Sequence, residues 1–436
     1  MTDRAVMKNA SWIVACKLLQ SLLALVVGMQ TARYLGPSGY GILNYAASVT
    51  AFFLPLMQLG FRGTLVRELV EAPDRAGTTL GTALGLNLLS ALACVAGIWA
   101  FVSMTEPGEP ETVLVCTLYA GSLTVQTLEV FGYWFQARLL SQYPALLSLG
   151  AYALAAGYKL WLLASGAPVV WFALAQTLES GVLGVGLLVV YRRKGGGKLR
   201  FSRQRGSQML RLSKYYILSG LMTAVFARTD SVMLKLLLGP AETGWYSAAF
   251  TCATASSFLF GAIIDSVRPG ALEHRQRDSD LFRQDMTRLI SVTLWLALGQ
   301  SLVLTLLAEP VMILLYGPAY GPGAPVLGTL TWFSAFSYLG AVRDIWILAE
   351  GKQGILWILN LTGAVANVAL NVLMIPLWGP VGAAAASVLT QVFTNVLLGF
   401  VMPGLRPYVR LLVRGADPRH MWDWTKSLMK ERKHHE

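Results

Sequence analysis

The chain has 436 residues, of which 55% are hydrophobic and only 13% are charged, and its formal net charge is +12. Soluble globular proteins carry about 25% charged residues. This composition therefore excludes a water-soluble fold, which would expose apolar surface and aggregate. The apolar residues come in runs of about 20, the length that crosses a hydrocarbon core of roughly 30 Å. The sequence predicts a helical protein that crosses a membrane many times.

Twelve apolar runs follow one another along the chain. We predict an all-α integral membrane protein in which twelve transmembrane helices form two pseudo-symmetric six-helix bundles around a central cavity. The predicted helices lie near residues 10–33, 42–62, 79–103, 112–135, 145–165, 169–191, 215–238, 245–267, 288–316, 325–349, 354–377 and 380–403.

The positive charges are concentrated on one side of the predicted helices. With the N-terminus placed in the cytoplasm, most of the 35 Lys and Arg residues fall in cytoplasmic segments, whereas the opposite loops carry Glu106, Glu109, Glu111 and Glu242. This distribution follows the positive-inside rule, so the basic character indicates topology and not a nucleic-acid partner. We predict a multi-pass protein of the inner (plasma) membrane with both termini in the cytoplasm.

The cysteines and histidines indicate neither a disulfide framework nor a metal site. All four cysteines lie within predicted helices and all four histidines lie in predicted cytoplasmic segments, without the spacing of a Cys/His site. We therefore predict no metal and no cofactor.

A basic, glycine-rich stretch at residues 192–214 divides the chain. This composition is typical of a linker. We predict an N-terminal six-helix bundle at 1–200, a C-terminal six-helix bundle at 201–405 and a cytoplasmic basic tail at 406–436. The linker's second part and the tail mix apolar residues with cations, which suits helices on an anionic lipid surface. For the linker, an ordinary positive-inside loop is the alternative.

A short motif occurs twice. It reads LGPSGYG at residues 35–41 and LGPAETG at residues 238–244, an offset of 203 residues. Gly and Pro are the residues that a tight turn between two spans requires. Because six predicted helices separate the copies, the two halves have the same orientation, which predicts a pseudo-two-fold axis along the membrane normal.

Several short stretches in fixed order carry a family resemblance. They read NASW at 9–12, ARYLGP at 32–37 continuing to YG at 40–41, YWFQA at 133–137, NVALN at 367–371 and IPLWGPVGAA at 375–384. With the spacing of the helices, they cover nearly the whole chain. The sequence resembles the polysaccharide-type flippases of the multidrug/oligosaccharidyl-lipid/polysaccharide exporter superfamily.

The resemblance implies a V-shaped pair of bundles that opens alternately to either face of the membrane. The implied function is to move a polyprenyl-diphosphate-linked oligosaccharide from the cytoplasmic to the outer leaflet for surface polysaccharide assembly. The implied partners are this lipid-linked oligosaccharide, membrane lipids, a coupling ion (proton or sodium), and the polysaccharide polymerase and chain-length machinery.

Charges and amides inside the predicted helices are the candidate binding residues, because buried charges in a bilayer nearly always face protein or water. Cations suit a diphosphate, and amide or hydroxyl groups suit sugars. The amides also suit bonds between helices, and that alternative stays open. The candidate substrate-binding residues are Lys17, Arg228, Lys235, Arg343, Asn44, Asn360, Asn367 and Gln391.

Two carboxylates are candidates for ion coupling. Asp230 and Asp344 lie within predicted helices, where each could carry a proton or cation. Each also has a cation nearby, Arg228 and Arg343 respectively, so simple charge neutralisation is an open alternative.

Arg62 and Asp265 are the candidate gate. They are equivalent in the 203-residue repeat, so we predict that they pair across the cytoplasmic mouth in the outward-open state. Two unrelated interfacial charges are the alternative. Swapping the two charges should retain transport in a flipping assay while either single reversal abolishes it, and equal loss in all three variants would exclude the pairing.

Two other functional classes predict different sequences. A drug/cation antiporter of the same superfamily would favour an acidic, aromatic-lined cavity. A lipid II flippase is a closer alternative still, but such flippases usually have additional helices beyond twelve. A membrane glycosyltransferase or polymerase that uses lipid-linked sugars needs acid, base or nucleophilic groups in a sizeable extramembrane pocket. The predicted outer loops have only a few to about ten residues and almost no His, Asp or Arg. We therefore predict that the chain is not an enzyme and has no catalytic residue.

Overall fold

A computed structural model describes residues 3–419, with side chains for residue 16 and residues 18–419. All regular structure in these residues is helical. The chain divides into two compact units, Met1–Gly244 (unit 1) and Trp245–Glu436 (unit 2). The predicted surface helix of the tail around Trp422 and Trp424 lies outside the described residues.

The helices of unit 1, in chain order, are α1 (Asp3–Met57), α2 (Leu65–Glu71), α3 (Ala76–Thr105), α4 (Pro110–Ala120), α5 (Ser122–Gln126), α6 (Val130–Ala137), α7 (Gln142–Ser165), α8 (Val169–Arg193) and α9 (Arg203–Leu237). Helix α10 (Pro240–Thr254) begins in unit 1 and ends in unit 2. The helices that follow are α11 (Ser257–Arg277), α12 (Ser279–Leu306), α13 (Ala308–Tyr316), α14 (Ala324–Ala349), α15 (Leu356–Val392), α16 (Leu398–Val401) and α17 (Arg406–Gly415).

Within the described residues, nine helical segments are long and apolar enough to cross a membrane. Two of them, Leu18–Met57 and Gln353–Val401, have 40 and 49 residues, about twice the length that one crossing needs. Each is interrupted by a glycine with non-helical backbone angles, Gly36 and Gly379. The prediction of a helical, multi-pass membrane protein is confirmed, whereas the number of twelve helices in two six-helix bundles stays a prediction.

The basic stretch after α8 packs closely on α3. The backbone N–H of Arg200 donates to the Gly77 carbonyl oxygen (3.3 Å), and Arg205 Nη1 donates to Thr79 Oγ1 (2.7 Å). From Arg203 onward the stretch is the beginning of α9, which continues without a break to Leu237. In this structure α9 packs on α1 and α3 and therefore lies in unit 1, while the predicted boundary at residue 200 stays a prediction.

The two copies of the repeated motif form tight Gly-Pro turns, as predicted. Gly36 and Gly239 both have positive φ (66° and 126°), which glycine adopts without steric cost, and each precedes a proline. The copies also contact each other reciprocally. A Cβ at Gly41 would overlap the carbonyl oxygen of Pro240, and a Cβ at Gly244 would overlap that of Pro37. Only glycine permits this approach of the start of α10 to α1.

Candidate functional site

A polar cavity lies inside unit 1. Its volume is about 170 Å³, and its polar lining residues come from α1, α4, α7 and α8, including Asn44, Tyr119, Lys159 and Gln176. None of its lining residues is acidic. One ammonium group among amide and hydroxyl groups is an arrangement that can bind an anionic or polyhydroxylated group.

Hydrogen bonds hold the side chains of this cavity in place. Tyr119 Oη donates to Gln176 Oε1 (3.3 Å), Gln176 Nε2 donates to Ser180 Oγ (3.3 Å), and Asn44 Nδ2 donates to the Tyr40 carbonyl oxygen (2.8 Å). The predicted candidate Asn44 therefore lies at a preorganised polar site, where its side-chain oxygen stays available to a ligand.

Lys159 is not among the substrate-binding residues predicted from the sequence, although its helical spacing indicated a shared polar face. Tyr152 and Lys159 are seven residues apart on one helix, so they share a face, and Gln176 and Ser180 are four apart on the next. What the sequence lacked was the packing of α7, α8 and α1 against one another, which brings these faces together.

The other predicted residues of unit 1 lie at separate positions. Arg228 and Arg62 are exposed, and neither forms an ion pair with another residue of the described chain. Asp230 is buried on α9. The side chain of Lys17 is outside the described residues.

Lys235 is part of a buried ion network. Its side chain is only 1% exposed, and its Nζ donates to Glu106 Oε1 (3.0 Å) and to Glu109 Oε2 (2.9 Å). The two glutamates are the first and last residues of the loop between α3 and α4, so Lys235 ties the end of α9 to that loop. The hydroxyl of Thr112, which donates to Glu109 (2.6 Å), and Lys235 hold the pKa of Glu109 below its usual value. A substrate contact by Lys235 would require this network to open.

In unit 2, Arg343 is the centre of a second network. Its side chain is 8% exposed, and Nη2 donates to Asp344 Oδ1 (2.9 Å). On its other side, Nη1 donates to Asn395 Oδ1 (2.7 Å) and to the Thr394 carbonyl oxygen (3.0 Å). Asn395 in turn donates to Gln391 Oε1 (2.6 Å). The structure thus brings together three predicted residues, Arg343, Asp344 and Gln391.

Asn395 is the connecting residue that the sequence prediction missed. It lies in a π-helical turn, Phe393–Leu397, a local geometry that is frequent at functional sites. A Cβ at Gly340 would lie 2.7 Å from Asn395 Oδ1, so glycine at that position gives the amide room. Its four-residue spacing from Gln391 was the available signal.

The remaining predicted residues of unit 2 have local partners or face outward. Asn371 Nδ2 donates to Asn367 Oδ1 (3.2 Å) within α15, and Asn360 is exposed. Asp265 forms an ion pair with Arg268 on its own helix (3.3 Å). The proposed roles of Asp265 and Arg62 as a gate, and of Asp230 and Asp344 in ion coupling, stay predictions.

The sequence profile of a family described as polysaccharide biosynthesis protein matches residues 6–269, which is more than half of the chain. The chain belongs to this family. Family membership confirms the resemblance seen in the short motifs.

Two relatives are named as transporters. The chain is 25% identical over 331 residues to the succinoglycan biosynthesis transport protein ExoT of Rhizobium meliloti (strain 1021). This match covers 75% of this chain and 66% of ExoT, so it spans slightly less than two thirds of the length of ExoT. It is 22% identical over 403 residues to the probable flippase AglR of Haloferax volcanii, covering 88% of this chain and 80% of AglR.

Solved structures share the fold. The lipid II flippase MurJ in an inward closed conformation matches with a TM-score of 0.71 at 14% identity, over 92% of this chain and 90% of MurJ. An inward-facing multidrug resistance MATE transporter of the MOP superfamily matches with a TM-score of 0.64 at 16% identity, over 91% and 96% of the two chains. This member of the polysaccharide biosynthesis protein family therefore has the fold of these two structures.

Proposed function

We propose that this protein moves a polyprenyl-diphosphate-linked oligosaccharide from the cytoplasmic to the outer leaflet by alternating access, for assembly of a surface polysaccharide. Membership in the polysaccharide biosynthesis family and the named transport function of ExoT support this class of cargo. We assign Lys159 and Asn44, which line the cavity in unit 1, to contacts with the diphosphate and sugars, and Arg228, which is exposed and does not line that cavity, to a separate contact with the diphosphate.

The observation that carries this proposal is the polarity of the cavity in unit 1. Lys159 is its charged lining residue, amides and hydroxyls accompany it, and no lining residue is acidic. A phosphate binds such an ammonium group, and sugar hydroxyls exchange hydrogen bonds with amides.

The alternative, a drug/cation antiporter of the same superfamily, needs the opposite polarity. A cationic drug bound in this cavity would lie close to the ammonium group of Lys159. Repulsion between two positive charges at a poorly solvated site makes such binding unfavourable. The MATE likeness concerns the fold and is compatible with either cargo.

Complementation tests the proposal. In cells deleted for a known polysaccharide flippase, this chain should restore surface polymer and deliver lipid-diphosphate-linked repeat units to the outer leaflet. Lys159→Ala and Arg228→Ala should each lower flipping about 10- to 100-fold, because a hydrogen bond to a charged group contributes about 1.5–3 kcal/mol.

The matched control is Arg193→Ala, which removes an exposed arginine at the end of α8 and should leave flipping unchanged. Failure across a panel of glycans by a correctly inserted protein, together with export of cationic drugs, would favour the antiporter.

A further inference from the structure

Helix α17 is an amphipathic helix that packs against other helices of unit 2. Tyr408, Leu411 and Leu412 are buried, while its arginines are exposed. Tyr408 Oη donates to the Leu339 carbonyl oxygen (3.1 Å), and Trp295 Nε1 of α12 donates to the carbonyl oxygen of Ala416, just past the end of α17 (3.2 Å). The position of its charged face is therefore fixed by packing and hydrogen bonds.

This charged face forms one side of a cavity of about 420 Å³, which is also lined by residues of α11, α12 and α14 and by Glu350, directly after α14. Four of the lining residues are arginines, Arg275, Arg283, Arg410 and Arg414. An adjoining cavity of about 310 Å³ shares Arg283 and Arg414 and adds Arg288. Five arginines thus line two cavities that have Arg283 and Arg414 in common.

The positive charge of the cavity is only partly neutralised. Arg275 Nε donates to Glu350 Oε1 (2.8 Å), and Arg283 Nη1 donates to Asp280 Oδ1 (3.0 Å). Neither arginine of α17 in this cavity forms an ion pair with any residue of the described part of the chain. The site therefore has guanidinium groups free to bind an anion, and their planar geometry suits phosphate oxygens.

The cavity lies where membrane-crossing segments end. One such segment ends at Arg277, the next begins at Ser279, and the segment before α17 ends at Val401. Two apolar side chains next to lining residues, Leu281 and Val413, are exposed (42% and 61%). Cations beside exposed apolar surface at the end of membrane helices match the level of phospholipid headgroups, and basic pockets between such helices are known lipid sites.

We propose that this cavity binds the headgroup phosphate of an anionic phospholipid, with the acyl chains on the adjoining apolar surface. The arginines of α17 contact the phosphate, and Phe282 and Trp346 form the apolar wall of the cavity. A free phosphate ion would gain nothing from that wall. The excess of cations also disfavours a zwitterionic headgroup, whose choline would meet the arginines. This cavity and the cavity in unit 1 have no lining residue in common, and the proposed site does not depend on the cargo.

Native mass spectrometry of the full-length protein, in micelles containing dioleoylphosphatidylglycerol or dioleoylphosphatidylcholine, tests the proposal. The wild-type protein should retain phosphatidylglycerol in preference to phosphatidylcholine. The double variant Arg410→Gln/Arg414→Gln should bind phosphatidylglycerol about 30-fold more weakly, since each arginine near an anionic surface contributes about 1 kcal/mol. Because these two side chains are exposed, the variant should keep the wild-type melting temperature in lipid-free detergent.

The control Arg192→Gln/Arg193→Gln removes the same charge from the end of α8, where both arginines are exposed, and should retain lipid as the wild type does. An equal loss of phosphatidylglycerol binding in both double variants would show that retention depends on general surface charge, and this would overturn the proposal. Unchanged binding in the α17 variant, or displacement of the lipid by inorganic phosphate alone, would overturn it as well. Because retention is measured without transport, the result is independent of whether the proposed cargo is correct.

Discussion

Gly41→Ala should lower the free energy of unfolding by about 1–3 kcal/mol and abolish most transport. The new methyl group would overlap the carbonyl oxygen of Pro240. That oxygen belongs to the backbone at the start of α10 and has no side-chain rotation by which to move aside. The cost is that of overpacking, and it outweighs the gain of up to about 1 kcal/mol in helix propensity that alanine has over glycine.

The reciprocal contact sharpens this prediction. Gly244→Ala meets the Pro37 carbonyl oxygen in the same way, so it should have a similar effect. Once the two motif copies are pushed apart, the second methyl group meets less resistance. The double variant should therefore cost clearly less than the sum of the two single variants.

Thermal unfolding followed by tryptophan fluorescence, with flipping measured in parallel, gives the comparison. Gly150→Ala is the matched control, because this glycine lies within α7 and a Cβ there would meet no atom within 4 Å. It should leave stability unchanged or slightly higher. Wild-type melting and transport in Gly41→Ala would show that the close approach of the two motifs is unimportant.

The features predictable from the sequence are those that depend on local chemistry. The Gly-Pro turns at Gly36 and Gly239 followed from the backbone preferences of two residues, and the helical spans followed from length and hydropathy. The pairing of Arg343 with Asp344 was also accessible, because the two are adjacent in the chain.

Hydrogen-bond and ion-pair partners that lie far apart in the sequence could not be predicted from local patterns. Lys235 is 129 and 126 residues from its two glutamates, and Arg343 is 52 residues from Asn395. A helical pattern indicates that a polar face turns away from lipid, but it does not say which face of another helix it meets. For Lys159, the sequence indicated the helix face on which it lies, but it did not indicate which residues of other helices line the cavity with it.

Lys235→Met should lower the free energy of unfolding by about 2–3 kcal/mol. Removing one partner of a buried ion pair costs about 3–5 kcal/mol. The cost is smaller here because the side chain of Glu109 is 42% exposed and partly solvated, whereas that of Glu106 is 12% exposed. Two neighbouring carboxylates would be left without their shared cation, and the loop between α3 and α4 would separate from α9. Thermal unfolding in detergent measures the loss.

The triple variant Lys235→Met/Glu106→Gln/Glu109→Gln separates a structural role for Lys235 from a substrate contact. It removes all three charges together, so most of the lost stability should return, because no uncompensated charge is left in the network. If Lys235 acts only as a tie between α9 and the α3–α4 loop, transport should return with stability. A triple variant that is as stable as the wild type but does not flip lipid-linked oligosaccharide would instead assign the ammonium group of Lys235 to the substrate, and the network with Glu106 and Glu109 would then be the resting partner that the diphosphate displaces.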